Sequence, residues 1–235
     1  MKPTEPELAK IAAGAVTLGV PAWQNNISVQ HRWIGPRRVQ VGEFQIGRYA
    51  VTREEYSQFL TATGHVQPAD WDDPVLGDPR QPACGVSAED ADAYCLWLRE
   101  TTHKPYRLPG VDEWEKAARG GLEGKIFPWG DDNPVGRCFF GLTEKAGPKP
   151  VGTFSPNAFG LYDAVGNVWQ WLSDLYAKVA EDKPLNTPTG KAPELNRVLV
   201  GGSFMTPNTD YLRVAYRHED PPDLRHRCLG FRIAM

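Results

Sequence analysis

Three stretches of the chain show the spacing of apolar residues that short amphipathic helices have. The first begins at a capping-box pattern over residues 52–55 and ends at Gly64, a residue type that commonly terminates helices. The second begins at a similar pattern over residues 87–90 and continues with apolar residues at helical spacing. The third runs over residues 111–119. The sequence therefore predicts three helices.

Strand patterns are shorter than the helical ones. Alternating apolar and polar residues predict one strand over residues 39–47, and brief apolar runs predict buried strands over 197–200 and 230–234. The polar residues 178–196 contain three prolines and predict a mobile surface loop. With 23 glycines, 21 prolines and 8 tryptophans, we expect many turns and a core of large aromatic side chains.

The chain shows no internal repeat and no interdomain linker, so its organisation is predicted to be a single domain. We expect residues 1–35 to form a lead-in that packs on a domain of residues 36–235. At 235 residues, such a domain can bury a large core without disulfides or a metal.

Charge and hydropathy exclude two classes of partner. The net charge is -3, and no cluster of Lys and Arg forms the basic stripe of a nucleic-acid-binding protein. No apolar run approaches the roughly 20 residues of a membrane span. The apolar stretch 11–20 is short, and Glu5 and Glu7 stand where a signal peptide carries positive charge. We expect a cytoplasmic protein that binds neither nucleic acid nor membrane.

The four cysteines are widely separated, without a CxxC pair and without a histidine at ligand spacing. This dispersion argues against a zinc site, a disulfide framework or a Cys/His nucleophile. We expect reduced and mostly buried thiols at Cys84, Cys95, Cys138 and Cys228.

Five motifs follow one another in a fixed order along the chain. They are YRLP and EWEKAARGG within 106–121, FPWG at 127–130, GLYDAVGNVWQW at 160–171, RVLVGGSF at 197–204 and LGFR at 229–232. In order and spacing they resemble those of the formylglycine-generating-enzyme, or sulfatase-modifying factor, family. The resemblance covers residues 36–235. It implies an α+β, irregular and loop-rich fold of the C-type-lectin-like kind, with short mixed strands and about three helices.

The residues that carry the chemistry of that family differ here. By the resemblance, its activity depends on two cysteines after the GGS motif, which bind copper(I) and oxidise a substrate cysteine with oxygen. Thr206 and Tyr211 stand at those two positions. Ser203, which lines the family's site, is retained, but one thioether from the adjacent Met205 cannot replace two thiolate ligands. We therefore expect neither copper nor formylglycine formation.

The resemblance also implies a structural calcium site. Its ligands would be Asn167, the carbonyl of Val168 and the side chain at position 170. Gln170 stands where the family usually has Glu, which removes one negative charge from a site for a hard cation. A second calcium site is expected to be lost, because Phe139 replaces its Asn. Calcium is thus predicted at the first site at most.

One hypothesis is that the chain is a binding module acting through the surface of residues 203–232 on a protein or small-molecule ligand. Tyrosine and asparagine in such loops supply contact area and adaptable hydrogen bonds. The competing interpretation for Arg217, Arg225 and Arg232 in this region is internal ion pairing. The candidate ligand-binding residues are Thr206, Asn208, Asp210, Tyr211, Tyr216, His218, His226 and Arg227.

The alternative hypothesis is a cysteine-independent oxidoreductase that acts on a peptide or natural product. Its candidate catalytic residues are Ser203, Tyr211 and His218, with Tyr216 and His226 as further candidates. A histidine titrates near neutral pH and therefore suits proton transfer. The two hypotheses use the same surface and differ in the chemistry that follows binding.

Overall fold

The computed structural model describes residues 3–19, 36–176 and 196–235. Within these residues it contains three α-helices and eight strands. The helices are α1 (Arg53–Thr63), α2 (Ala88–Thr102) and α3 (Val111–Arg119). The strands are β1 (Leu8–Ile11), β2 (Gly14–Leu18), β3 (Arg37–Val41), β4 (Phe44–Gly47), β5 (Trp169–Leu175), β6 (Arg197–Val200), β7 (His218–Asp220) and β8 (Leu229–Phe231).

The helices begin and end where the sequence predicts. At the start of α1, Thr52 accepts a hydrogen bond from the Glu55 amide, and the Glu55 carboxylate accepts one from the Thr52 amide. Gly64 then ends the helix in the left-handed conformation, with a φ of 69°. The same reciprocal capping, between Ser87 and Asp90, begins α2. All three predicted helices are confirmed.

The four-stranded sheet has the order β7-β6-β5-β8, in which β5 and β8 run parallel and the other neighbours antiparallel. The prediction of a single strand over 39–47 is wrong. The structure has two separate strands there, of which β3 pairs with β2 and β4 pairs with β1. The strand predicted over 230–234 ends at Phe231, and Ala234 instead forms isolated bridges with Ile46 and Arg107.

Residues 8–18 contribute two strands, β1 and β2, that the sequence analysis did not predict. Each is only four or five residues long, so its pattern is too short to recognise. The boundary at residue 36 between lead-in and domain stays a prediction. The loop predicted over 178–196 lies, except for its last residue, outside the described residues.

The central sheet separates two hydrophobic clusters. On β5, Trp171 packs into the cluster that contains α1 and α2 residues, whereas the next residue, Leu172, packs into the cluster around α3. On β6, Leu199 packs into the cluster with α1 and α2, and Val200 packs into the cluster around α3. Strands covered on both faces are expected to be apolar, as residues 198–200 of β6 are.

A buried ion-pair cluster ties α3 to the rest of the domain. The Glu115 carboxylate accepts hydrogen bonds from Arg119, at 2.8 Å, and from Arg217. Its Oε1 also accepts the Gly19 amide at 2.8 Å. All three charged side chains are about 1% exposed, so removing one would leave a charge without a partner. The predicted internal ion pairing of Arg217 is confirmed.

A second ion pair joins the segment before β8 to α2. Arg225 donates two hydrogen bonds of 2.7 Å to the carboxylate of Asp90. The internal ion pairing predicted for Arg225 is therefore confirmed as well.

The longest α-helix described, α2, has 15 residues, and no helix in the described part of the chain has the length and apolarity needed to cross a membrane.

We predict that the Asp90 carboxylate makes stability fall in acid. Burial raises its pKa, but hydrogen bonds from Arg225, Ser87 and His65 outweigh burial and lower it to about 2. Because the unfolded value is about 3.9, the contribution is complete above about pH 4 and lost as the pH falls through about 2. Urea unfolding at about pH 6 should show Asp90→Asn less stable by about 2 kcal/mol, with the difference shrinking toward about pH 2.

Glu89→Gln provides the matched control, because Glu89 is the exposed neighbour of Asp90 in the first turn of α2. Its free energy of unfolding should change by less than about 0.5 kcal/mol at either pH. An Asp90→Asn deficit that is the same at both pH values would contradict the assignment.

Candidate functional site

Two glycines after β6 bring the chain into the candidate site. Gly201 and Gly202 have φ values of 88° and 68°, which favour glycine. A Cβ on Gly201 would lie 2.7 Å from the Ala164 carbonyl oxygen, and one on Gly202 would lie 2.7 Å from Cδ2 of Leu212. Glycine is therefore required at position 201, where another backbone segment approaches too closely for any side chain, and at position 202 it is favoured by the left-handed φ and by the packed Leu212 side chain.

The next residues form a tight loop held by side-chain hydroxyls. Thr206 Oγ1 accepts the Ser203 amide at 2.8 Å, and the Thr206 amide donates to the Ser203 carbonyl at 3.0 Å. Both residues are buried. Ser203 Oγ in turn accepts the Met205 amide at 3.2 Å. Thr206, at the first position that the resemblance gives to a cysteine, thus stabilises the loop.

A short 3-10 helix, Thr209–Leu212, presents Tyr211. Asn208 caps this helix by accepting the Asp210 amide at 2.9 Å, and Asp210 accepts a hydrogen bond from Arg213 Nε at 2.9 Å. The Tyr211 ring lies against that of Tyr216, with their centroids 5.0 Å apart. The second cysteine position of the family is therefore occupied by a packed phenol.

These elements surround a cavity of about 340 Å³, which we call the aromatic pocket. Four rings follow one another in contact: Tyr211 on Tyr216, Tyr216 on Trp169 with centroids 6.1 Å apart, and Trp169 on His218 at 5.3 Å. Apart from Pro207, the remaining lining is polar or sulfur-containing. The pocket is lined by Trp169, Ser203, Met205, Thr206, Pro207, Tyr211, Tyr216, His218 and Cys228.

Cys228 is the residue that the sequence analysis missed. It is unpaired and buried, as expected, but its side chain also lines the aromatic pocket. Its Sγ lies 3.0 Å from Nδ1 of His226. Burial raises the pKa of the thiol to about 11, against a smaller lowering by a hydrogen bond from Ser203. Cys228 lies far from the GGS motif in the sequence, so no motif spacing predicts that the two come together. It enters the pocket because β8, which follows it, pairs with β5.

Some predicted ligand-binding residues are thus brought together and others are not. Thr206, Tyr211, Tyr216 and His218 line the aromatic pocket. Four others lie outside the described pocket lining, because Asn208 caps a helix, Asp210 pairs with Arg213, Arg227 pairs with Asp73 at 2.9 Å and His226 contacts the Cys228 sulfur.

Two of the three residues predicted to bind calcium have side chains engaged with protein groups. Asn167 bonds to the backbone of Lys149 through both ends of its amide, at 2.9 and 3.1 Å. Gln170 Oε1 accepts hydrogen bonds from Trp114 Nε1, at 2.8 Å, and Arg232 Nε, at 2.6 Å. Val168 between them is buried. Calcium at this position stays a prediction. In the structure the Gln170 oxygen is already hydrogen-bonded to Trp114 and Arg232.

Arg232 corrects one expectation of the sequence analysis. Its guanidinium is fully buried but hydrogen-bonds to no carboxylate among the described residues: it donates to Gln170 and to the carbonyls of Gly47, at 2.8 Å, and Tyr162, at 2.9 Å. Burial lowers its pKa to about 10, partly offset by the charge of Asp163. The residue is therefore a buried donor to backbone rather than a member of an ion pair.

A larger cavity of about 550 Å³ lies elsewhere, between residues 122–137 and 154–165. Its lining is mainly apolar and includes Trp129, Phe154 and Asp163. It contains none of the predicted site residues, so we place the candidate site in the smaller aromatic pocket.

Comparison with known proteins decides the family. The model of the sulfatase-modifying factor enzyme 1-like domain matches residues 1–235. The chain belongs to this family. The formylglycine-generating enzyme of Bos taurus is 30% identical over 294 residues, which cover 99% of this chain and 76% of that protein. The inactive C-alpha-formylglycine-generating enzyme 2 of Bos taurus is 37% identical over 168 residues, which cover 65% of this chain and 50% of that protein.

Solved structures of the family show the same architecture. The structure of PvdO from Pseudomonas aeruginosa is similar with a TM-score of 0.80 and 29% identity, covering 97% of this chain and 94% of that chain. The predicted α+β fold with short strands and three helices is confirmed. Its relation to C-type lectins stays a prediction.

We predict that Gln170→Ala destabilises this family member by about 3 kcal/mol, because it leaves the buried donors of Arg232 and Trp114 without an acceptor. Chemical denaturation measures the change. Gln40→Ala, on the exposed side of β3, is the control and should change stability by less than about 0.5 kcal/mol. Equal effects of the two substitutions would show that the Gln170 hydrogen bonds are not needed for stability.

Proposed function

We propose that this chain binds a ligand in the aromatic pocket and on the surrounding surface of residues 203–232, and that it does not generate formylglycine. One observation carries the proposal. Both positions that the resemblance gives to the family's cysteines, Thr206 and Tyr211, lie in the pocket, and neither supplies sulfur. The hydroxyl of one is bonded to the Ser203 backbone, and the ring of the other packs on Tyr216.

The walls of the pocket indicate the class of ligand. Its volume of about 340 Å³ suits a small molecule or a single large side chain. The ring faces favour an apolar or aromatic group, and His218 at the rim provides a polar contact, since 31% of its side chain is exposed. We propose a ligand that combines an aromatic or apolar body with one hydrogen-bonding group.

A relative supports a role without the family's oxidation chemistry. The C-alpha-formylglycine-generating enzyme 2 of Bos taurus is named as inactive, and it is 37% identical to this chain over the aligned residues. Membership of the family therefore does not require the oxidation of cysteine.

The alternative function is an oxidoreductase that acts on a peptide or natural product. It is favoured by the two sulfur atoms of Met205 and Cys228 in the pocket lining, because soft sulfur ligands suit copper(I). Ser203, Tyr211 and His218 line the same pocket and would supply proton-transfer groups. We favour binding, because the one oxidation chemistry that the resemblance specifies needs two thiolates and Cys228 is the one cysteine in the described lining.

We predict that small aromatic fragments bind the pocket and that Tyr211→Ala weakens them by about 10- to 100-fold, since loss of an aromatic anchor commonly costs roughly 1.4–2.8 kcal/mol. Ligand-detected NMR with a library of such fragments identifies binders, and titration gives the dissociation constants. His218→Ala should weaken fragments that carry a hydrogen-bonding group more than purely apolar ones.

Phe159→Ala is the control for these titrations, because Phe159 is a half-exposed aromatic residue outside the pocket lining. Its dissociation constants should match those of the wild type. Fragments that bind all three variants equally, or no fragment binding at all, would contradict the proposed site.

A separate assay tests whether the oxidation chemistry of the family is retained. We predict that a cysteinyl peptide incubated with the protein, copper(I) and oxygen keeps its mass, because the copper-binding cysteine pair is replaced. Mass spectrometry and an oxygen electrode provide the measurement. Conversion of the cysteine to the aldehyde, or oxygen uptake that depends on Cys228, would establish the oxidoreductase instead.

A further inference from the structure

The aromatic pocket contains a thiol whose position is fixed by the backbone. Cys228 immediately precedes β8, and its carbonyl accepts the Trp169 amide of β5 at 2.9 Å. The Leu229 amide donates a hydrogen bond to the His226 carbonyl at 2.8 Å. This turn holds His226 and Arg227, the two residues before Cys228, in place. The sulfur therefore faces the pocket as part of the rigid sheet edge rather than as part of a loose loop.

A proton acceptor lies beside this thiol. Nδ1 of His226 is 3.0 Å from Sγ, and in the tautomer with Nδ1 unprotonated the thiol donates to it. The ring belongs to an exposed residue, so it can pass the proton on to solvent or to a departing group. Thiol, base and cavity thus occur together, which distinguishes Cys228 from Cys95 and Cys138.

In the resting protein the sulfur of Cys228 is a thiol and not a thiolate. Because burial raises the thiol pKa to about 11, the sulfur remains protonated near neutral pH. Attack on an electrophile therefore requires removal of the proton as the sulfur reacts, and the imidazole of His226 is placed to remove it. The hydrogen bond from Ser203 favours the developing thiolate, since it lowers the same pKa.

We propose that Cys228 forms a mixed disulfide with a small disulfide-bearing ligand that occupies the aromatic pocket, with His226 accepting the thiol proton. This inference rests on the proposed function, because the ligand must first enter the pocket. The aromatic walls select a disulfide with an apolar or aromatic body. The pocket then captures one half of that ligand covalently.

The exchange balances without another reactant. Sγ of Cys228 attacks one sulfur of the ligand, the ligand's S–S bond breaks, and a new S–S bond to Cys228 forms. The departing sulfur takes the proton that His226 removed. Cys228 is oxidised and the departing half of the ligand is reduced to a thiol, so the ligand disulfide is the oxidant. An external thiol reduces the mixed disulfide and returns Cys228 to its resting state.

The test is the reaction of the native protein with dipyridyl disulfide, followed by the absorbance of the released thiopyridone. We expect one equivalent to be released at least about 10²-fold faster than the rest, because in the described part of the chain no base is hydrogen-bonded to the other three thiols. Peptide mapping by mass spectrometry should place the adduct on Cys228. Cys228→Ser should abolish the fast phase, and Cys138→Ser, a buried thiol outside the pocket, should retain it.

The role of His226 is tested by the pH dependence of the fast phase. In His226→Gln the rate near neutral pH should fall by about 10²-fold and then rise continuously with thiolate formation toward pH 11. In the wild type, the rate near neutral pH should depend much less on thiolate formation, because the imidazole removes the proton as the sulfur reacts. An unchanged profile in His226→Gln would overturn the assignment of this residue as the base.

The outcomes separate this inference from the proposed function. If fragments bind the pocket but Cys228 reacts no faster than Cys138, the covalent step is wrong and the binding site stands. If Cys228 reacts rapidly but bound fragments neither protect it nor respond to Tyr211→Ala, the proposed function fails and the inference with it. Mapping of the wild-type adduct decides the matter even if Cys228→Ser does not fold, and Cys228→Ala provides a second variant.

Discussion

The structure depends on the burial of one guanidinium group. Arg232 has no contact with solvent, so its donors must be satisfied by acceptors that other segments bring to it. Those acceptors are the Gln170 side chain on β5 and the carbonyls of Gly47 and Tyr162, which come from distant parts of the chain. Gln170 in turn accepts Trp114 of α3. A single charge therefore fixes the relative positions of α3, β4, β5 and β8.

The helices of this fold follow from local sequence, and the small strands do not. Capping pairs such as Thr52 with Glu55 are made within four residues, so their pattern identifies the helix ends directly. Strands of three to five residues take their partners from far along the chain. The break between β3 and β4 arises because two different N-terminal strands pair with them, which periodicity within 39–47 cannot reveal.

The candidate site was only partly predictable for the same reason. The GGS loop and Tyr211 were identified because they follow one motif, and the resemblance gave them a position in the family's site. Cys228 and Trp169 enter the pocket through the parallel pairing of β5 with β8, and no local pattern links them to that loop. Asp210 stays a predicted ligand contact, and its pairing with Arg213 was not foreseen, because sequence does not show which side chains cap helices or pair with neighbours.

The pairing of β5 with β8 also has a consequence for biosynthesis. Contacts such as Gln170 with Arg232, which are 62 residues apart, and Gly47 with Arg232, which are 185 apart, slow folding because long segments must be closed first. While a ribosome adds the residues between these strands, at roughly 5–20 per second, the edge of β5 that later pairs with β8 stays open. Newly made Cys228 is therefore exposed to the redox environment of the translating cell before its own docking buries it.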